Sequence, residues 1–207
     1  MKILITAGPT REYIDPVRFI TNRSSGKMGY ALAEAAVKRG WEVLLVTGPV
    51  NLPLPDGASV IGVETALQMA ANVKYNAPDC DAVVMAAAVA DYRPVEVAEH
   101  KLKKQPGDLT LRLERTEDIL ASLGEMKRPG QILVGFAAET DDLLENARKK
   151  LESKNLDWIA ANKVADGFAR DTDKVTLLGR NGEVVELPLA PKPKVAEMIL
   201  DRIFGKA

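Results

Sequence analysis

Apolar positions along this chain alternate between short continuous runs and stretches with helical spacing. Lys2 to Thr6 (KILIT) is a β-branched apolar run ending at Ala7-Gly8-Pro9-Thr10, which predicts a buried strand broken by a loop. From Gly26 the spacing becomes helical: Met28, Leu32, Ala35, Ala36 and Val37 fall on one side, and Gly40 stops the helix. Glu42 to Thr47 (EVLLVT) is a second strand, so the opening forms a strand-loop-helix-strand unit with a right-handed crossover. The alternation continues with a strand near Ser59 to Val63, a helix from about Ala66 to Val73, and an almost wholly apolar strand from Asp81 to Ala88. A strand apolar on both faces belongs in the middle of a parallel sheet. Strands at Ile132 to Ala137 and Trp158 to Ala161 are joined by a charged helix from about Asp142 to Lys154, and a last helix runs from about Lys192 to Ile203. The pattern is α/β throughout.

Two stretches break the alternation. Residues 92–107 hold Pro94, Pro106, Gly107 and a basic run with no clean period, which predicts a mobile loop. Lys174 to Leu178 and Glu183 to Leu187 flank Gly179-Arg180-Asn181-Gly182, which predicts a β-hairpin over residues 174–187.

The length of 207 residues suits one core with a small appendage. With 46% hydrophobic and 28% charged residues, close to the ordinary globular mixture, the composition argues against disorder and fibrous repeats. Basic and acidic residues number 28 and 29, so the net charge of -1 offers no field to attract nucleic acid, and any anion site must be local. Cys80 is the single cysteine and His100 the single histidine, which leaves no disulfide framework and no cluster of soft metal ligands. No apolar run approaches the roughly 20 residues that span a bilayer, and Met1 leads directly into the first strand. A soluble, cytoplasmic chain with no membrane partner is the expectation.

In open α/β sheets ligands sit at the C-terminal ends of the strands, so each strand-to-loop junction is a candidate. The first loop is long and polar. Ser24-Ser25-Gly26 places two hydroxyls and unobstructed N–H groups at the positive end of a helix, a seat for phosphate. A serine that merely caps the helix is the alternative, but Arg18, Asn22 and Arg23 add more polar machinery than a cap needs. Neither the Walker pattern nor Gly-x-Gly-x-x-Gly is present, which disfavours a P-loop NTPase and an ordinary dinucleotide enzyme.

The central strand ends in Met85-Ala86-Ala87-Ala88-Val89-Ala90-Asp91, where small side chains let a flat base approach and Asp91 could serve Mg²⁺. Packing alanines and a turn aspartate are the alternative. Lys101, Lys103 and Lys104 on the 92–107 loop could close over a polyphosphate, or be a solvated basic run. His100 beside them reads as a surface residue. Arg115-Thr116-Glu117-Asp118-Ile119 resembles a capped helix start, and Phe136 could stack on a base or fill the core. Lys150 and Lys154, four apart, share a helix face and could grip one anion unless Glu145 and Glu152 pair with them.

Taken together, Gly8-Pro9-Thr10-Arg11-Glu12, Asp15-Pro16-Val17-Arg18, Asn22-Arg23-Ser24-Ser25-Gly26-Lys27-Met28-Gly29, Ala87-Ala88-Val89-Ala90-Asp91-Tyr92-Arg93, Lys101-x-Lys103-Lys104, Gly135-Phe136-Ala137-Ala138-Glu139-Thr140 and Asn155-Leu156-Asp157 with Ala161-Asn162 closely resemble bacterial phosphopantothenoylcysteine synthetase. These ordered blocks cover nearly the whole chain. The resemblance implies a three-layer Rossmann-like, mostly parallel sheet with a flexible flap near residues 92–107, in one ligase domain over residues 1–207. It implies coupling of 4′-phosphopantothenate to L-cysteine with CTP and Mg²⁺, through an acyl-cytidylate, with release of pyrophosphate and then CMP.

By the same resemblance Asn22 holds the acyl-cytidylate while cysteine attacks, and Lys101, with Lys103 and Lys104, lies on a flap that closes over activation. Met85, Ala86, Ala87, Asp91, Glu117, Asp118, Ile119, Leu120, Phe136, Lys150 and Lys154 would line the CTP site. Ser24, Ser25 and Gly26 would receive a phosphate, Ala87 and Ala88 would touch substrate, and Arg18 would reach substrate or a partner subunit, since the family is dimeric. Glu117 stands where a proline is expected before Asp118-Ile119. Most bacterial relatives carry this domain behind a flavin-dependent decarboxylase, which the 207 residues do not contain, so a stand-alone synthetase and a domain of a longer protein both stand as readings. A non-catalytic nucleotide-binding module on the same fold is the competing reading; a reductase lacks its glycine fingerprint.

Overall fold

In the computed structural model, residues 1–206 are described except 105, 140–141 and 164–169. The first strand, β1 (Lys2–Ala7), sends its side chains alternately to two separate apolar layers: Ile3, Ile5 and Ala7 to one, Leu4 to the other. Such a strand must be covered on both faces. Helix α1 (Lys27–Lys38) follows and returns the chain to β4 (Glu42–Thr47), after two short strands β2 (Arg11–Tyr13) and β3 (Phe19–Thr21) inserted in the first loop. The strand β5 (Ala58–Gly62) extends this half, and α2 (Ala66–Asn76) crosses back to β6 (Ala82–Met85) on the opposite side of β1. Thr65 and Gln68 form a capping box that fixes where α2 begins.

Beyond β6 a two-stranded ribbon, β7 (Tyr92–Pro94) with β8 (Leu113–Arg115), precedes α3 (Ile119–Met126) and β9 (Ile132–Glu139). Helix α4 (Leu143–Ser153), strand β10 (Trp158–Lys163), strand β11 (Thr172–Asp173), the hairpin of β12 (Val175–Gly179) with β13 (Val184–Glu186), strand β14 (Ala190–Pro191) and α5 (Lys192–Phe204) complete the chain. The main sheet runs β13-β12-β10-β9-β6-β1-β4-β5, with β10 through β5 parallel and the C-terminal hairpin antiparallel. One face packs on α1 and α5, and the other on α2, α3 and α4, giving three layers. The fold is therefore the expected Rossmann-like α/β arrangement, hairpin included. Among the described residues no helix is long and apolar enough to cross a membrane.

Three expectations need correction. The strand read as Asp81 to Ala88 leaves the ladder at Met85, because the following backbone bonds to the loop after β1 instead of to neighbouring strands. Residues 92–107 are not structureless throughout: Tyr92, Arg93 and Pro94 pair with Arg115, Glu114 and Leu113, and Arg93 is bound to Glu114 at 2.8 Å. The loop before α1 also contains the β2–β3 pair. Strands of three residues have too few alternations to show a period of two.

Gly29, in the first turn of α1, lies directly against β1. A Cβ there would stand 2.5 Å from the Ala7 Cβ and 2.8 Å from the Thr6 carbonyl oxygen, both rigid neighbours. Gly29→Ala should therefore lose about 1–3 kcal/mol of stability in denaturant unfolding, overpacking outweighing the helix-propensity gain. Gly62→Ala, where a Cβ meets nothing within 4 Å, should stay within about 0.5 kcal/mol of the parent.

Candidate active site

The chain winds one way from β1 to β4 and β5, then the other way to β6, so the crossovers diverge between β1 and β6. That divergence leaves a crevice at the C-terminal ends of the two strands. Their loops satisfy each other there. The Ala88 N–H donates to the Gly8 carbonyl at 2.9 Å and the Thr10 N–H to the Ala88 carbonyl at 3.3 Å, with Pro9 and Ala88 bridged in parallel. Two fully buried hydroxyls accept further amides: Thr6 Oγ1 from Ala87 at 3.1 Å and Thr10 Oγ1 from Ala90 at 3.0 Å. Asn22 spans the same gap, its Nδ2 donating to the carbonyls of Ala88 at 3.1 Å and Val89 at 3.2 Å.

A cleft of about 690 Å³ opens over this junction. At one end lies the amino terminus of α1, where Gly26 takes φ 75° and no side chain caps the helix. Ser24 Oγ accepts from the Gly26 N–H at 3.3 Å, and neither Ser24 nor Ser25 caps α1, so the capping alternative fails. The first-turn amides face the cleft with the partial positive charge of a helix end. Met85, Ala86, Ala87, Ala88 and Phe136 line its middle. Phe136 also packs against the sheet core, as the core-filling reading expects.

Asp91, the segment Glu117 to Leu120, and the Lys150 and Lys154 side chains line the other end. Lys150 binds Glu139 at 2.6 Å and Lys154 binds Asp118 at 2.8 Å. The partners are not the helix neighbours the spacing suggested: Glu145 pairs with Lys149 instead. Asp118 is the N-cap of α3, accepting from the Ala121 N–H at 3.0 Å. Burial alone would raise its carboxyl, but Lys154 and that amide outweigh burial and hold it below the ordinary value. Glu117 is held below its usual value first by Lys74 at 2.6 and 2.9 Å and then by Ser122 at 2.9 Å. The charge it adds near the cleft is thus balanced locally.

The segments expected to converge do so in part. Asp91 lines the cleft, and Asn22, exposed and outside the lining, reaches its edge through its bonds to the Ala88 and Val89 carbonyls, whereas Lys101, Lys103 and Lys104 are exposed and lie outside the cleft lining, as does Arg18. The reason is a clamp at Asp15. This fully buried carboxylate accepts from the Val17 and Arg18 N–H groups, each at 2.9 Å, from the Arg18 guanidinium at 2.5 and 3.0 Å, and from the Leu102 N–H at 3.1 Å. Arg18 Nη2 donates to the Leu102 carbonyl at 3.0 Å. The backbone between Lys101 and Lys103 is therefore tied to the first loop. Lys27, Asn162, Asp173 and Lys192 also line the cleft, and sequence reasoning gave them no role. Asn162 lies near the end of β10, directly after the apolar run to Ala161, a usable signal; nothing local marks Asp173 or Lys192.

Fold and cleft together define a doubly wound α/β protein with a crevice of paired charges and open helix amides at the point where its winding reverses. The chain belongs to the family of the DNA/pantothenate metabolism flavoprotein C-terminal domain, whose model matches residues 1–206. It is 54% identical over 205 residues to the coenzyme A biosynthesis bifunctional protein CoaBC of Bacillus subtilis (strain 168), covering 97% of this chain and 50% of that protein. To the CoaBC protein of Escherichia coli (strain K12) it is 46% identical over 212 residues, covering 100% of this chain and 52% of the relative. The crystal structure of the C-terminal domain of a CoaBC protein superposes with a TM-score of 0.85 at 50% identity, over 98% of this chain and 93% of that one. The chain spans about half the length of the curated relatives it matches.

The Arg18 guanidinium, then burial in opposition, then the amides of Val17, Leu102 and Arg18 set the Asp15 carboxyl; the net effect holds it far below the carboxylate range. A depressed carboxyl contributes fully above the free value of about 3.9, and the contribution is lost as the pH falls below that toward the native value. Hydrogen exchange at the Leu102 amide, corrected for intrinsic rates, should show constant protection from pH 8 to 5. Asp15→Asn should cut that protection at least about tenfold at pH 7, a charge-assisted bond having been replaced by a neutral one.

Proposed function

We propose that this chain is a phosphopantothenate–cysteine ligase of coenzyme A biosynthesis, using CTP and passing through an acyl-cytidylate. The carrying observation is the bridge from Asn22 to the Ala88 and Val89 carbonyls, which ties a polar amide to the backbone of the loop that lines the cleft with the uncapped amino end of α1. Membership of the family supports the reading.

In this reading the nucleotide occupies the cleft between α1 and the α3–α4 wall. Ser24, Ser25, Gly26 and the first-turn amides take its phosphates. Met85, Ala86 and Ala87 let the base approach, Phe136 offers a ring face, and Glu117, Asp118, Ile119 and Leu120 border it with Lys150 and Lys154. The two lysines would exchange part of their carboxylate pairing for the ligand. Phosphopantothenate lies beside Ala87 and Ala88 with Asn22, and Arg18 serves the substrate or a second subunit of a homodimer. Its carboxylate oxygen attacks the α-phosphorus, pyrophosphate departs, and the amine of cysteine then displaces CMP from the acyl carbon. Catalysis is chiefly positioning and charge stabilisation. Closure would bring Lys101, with Lys103 and Lys104, over the phosphates once the Asp15–Arg18 clamp lets Leu102 go.

Among the described residues no three His, Cys, Asp or Glu side chains cluster as a metal cage. Asp91 lines the cleft together with Glu117, Asp118 and Asp173, and would serve as one ligand of a Mg²⁺ ion arriving on the nucleotide phosphates. The shares covered in the relatives leave room for a flavin-dependent decarboxylase partner domain, and the whole assembly would work in the cytoplasm.

Pyrophosphate should form only when CTP and phosphopantothenate are both present, and CMP only after cysteine is added. Equal turnover with every nucleotide would remove the CTP assignment, and pyrophosphate formed without the acid would remove the ligase. Asn22→Asp loses both donors to the Ala88 and Val89 carbonyls, yet leaves the α1 phosphate seat intact. Acid-dependent pyrophosphate release should persist near the parent rate while product formation falls by about 10²-fold or more, with acyl-cytidylate accumulating in mass spectra.

A further inference from the structure

Lys192 is the first residue of α5 and is only 5% exposed, yet it lines the cleft together with Ser24, Gly26 and Lys27. This is a costly place for an ammonium. Burial opposes its charge, and the amino end of a helix repels a cation. Burial pushes the Lys192 ammonium below the ordinary lysine value, and Lys27 adds to that, while Asp173 and Asp171 oppose it.

The surroundings hold the side chain in place. Asp171 immediately precedes the β11–β14 ribbon; its backbone carbonyl accepts the Lys192 N–H at 2.9 Å and its carboxylate binds Lys27 Nζ at 2.5 Å. Lys192 Nζ donates to the Arg170 carbonyl at 2.6 Å, and Asp173, 3% exposed, accepts from Asn162 Nδ2 at 2.9 Å. Pro191 and Pro193 have no N–H, so α5 offers few amides to the cleft and presents the Lys192 ammonium instead. The amino ends of α1 and α5 thus bring two lysines to one wall of the cleft, Lys27 partly exposed and Lys192 buried, where a polyanion would meet both.

We propose that Lys192 is a catalytic residue that holds the terminal phosphates of the nucleotide and stabilises the pyrophosphate as it leaves. The assignment rests on the ligase reading of the cleft. As the substrate carboxylate oxygen bonds to the α-phosphorus, the bond from that phosphorus to the bridging oxygen breaks. The electron pair stays on the bridging oxygen of pyrophosphate. No proton moves in the step, so the charge gathering on the departing group must be met by fixed cations, and a buried ammonium meets it more strongly than an exposed one.

Lys192→Met and Lys192→Arg, beside the parent chain, should be titrated by calorimetry with inorganic pyrophosphate and separately with CMP, in Mg²⁺ buffer. Lys192→Met should lose at least about tenfold in pyrophosphate affinity, and acid-dependent pyrophosphate release should fall by about 10²-fold. CMP has no terminal phosphates, so its affinity should stay within about twofold of the parent, and Lys192→Arg should recover part of the pyrophosphate binding. Unchanged pyrophosphate affinity in Lys192→Met, or parent protein that binds no pyrophosphate, overturns the assignment. Parallel loss of pyrophosphate and CMP binding with a lowered melting temperature makes Lys192 a structural residue and overturns it too. If Lys192→Met does not fold, Lys192→Gln is judged by the same comparison. A parent chain that binds pyrophosphate but releases none from CTP and the acid defeats the ligase reading, while the binding comparison still judges Lys192.

Discussion

Past Met85 the central strand leaves the ladder, and its amides and carbonyls must still find partners in a largely buried place. The loop after β1 supplies them, through the Gly8 carbonyl, the Thr6 and Thr10 hydroxyls, the Thr10 amide and the Asn22 side chain. This exchange is possible only because the winding of the sheet reverses between β1 and β6, so that no helix fills the space above them. The crevice, the close seating of α1 on β1 at Gly29, and the exposure of the first-turn amides all follow from that one arrangement.

The cleft is electrically economical. The whole chain carries a net charge of -1, and the lysines around the crevice are set against carboxylates: Lys27 with Asp171, Lys150 with Glu139, Lys154 with Asp118. Paired cations of this kind keep a site folded and soluble before a polyanion arrives, at the cost of breaking or sharing those pairs on binding. Glu117, in the position where a proline was expected, fits the same pattern because Lys74 and Ser122 absorb its charge. The departure is compensated by a residue from α2, far away in the chain.

The Asp15–Arg18 clamp adds a conformational side to this picture. By fastening Leu102 it parks Lys101, Lys103 and Lys104 outside the cleft without burying them, so the basic run stays available. A carboxylate that receives five donor contacts is a strong anchor, and releasing it would require interactions gained elsewhere, such as those of lysines with phosphates.

Periodicity alone determined the parallel α/β core, the order of its long strands and helices, and the C-terminal hairpin, because runs such as Lys2 to Thr6 and Glu42 to Thr47 carry enough residues to display their burial. The polar first loop and the small residues after Met85 were legible as a candidate site for the same local reason, their composition exceeding what a turn requires, and both contribute to the cleft lining. The β2–β3 and β7–β8 pairs were not legible, since three-residue strands have no measurable period. Nor were the placements of Lys101 and Lys192. Only the folded chain decides that a buried carboxylate at Asp15 holds one lysine segment away from the crevice while the β11–β14 ribbon carries another lysine into it. Such contacts join residues far apart along the chain, and no local pattern encodes which distant partner will be near enough to settle a charge.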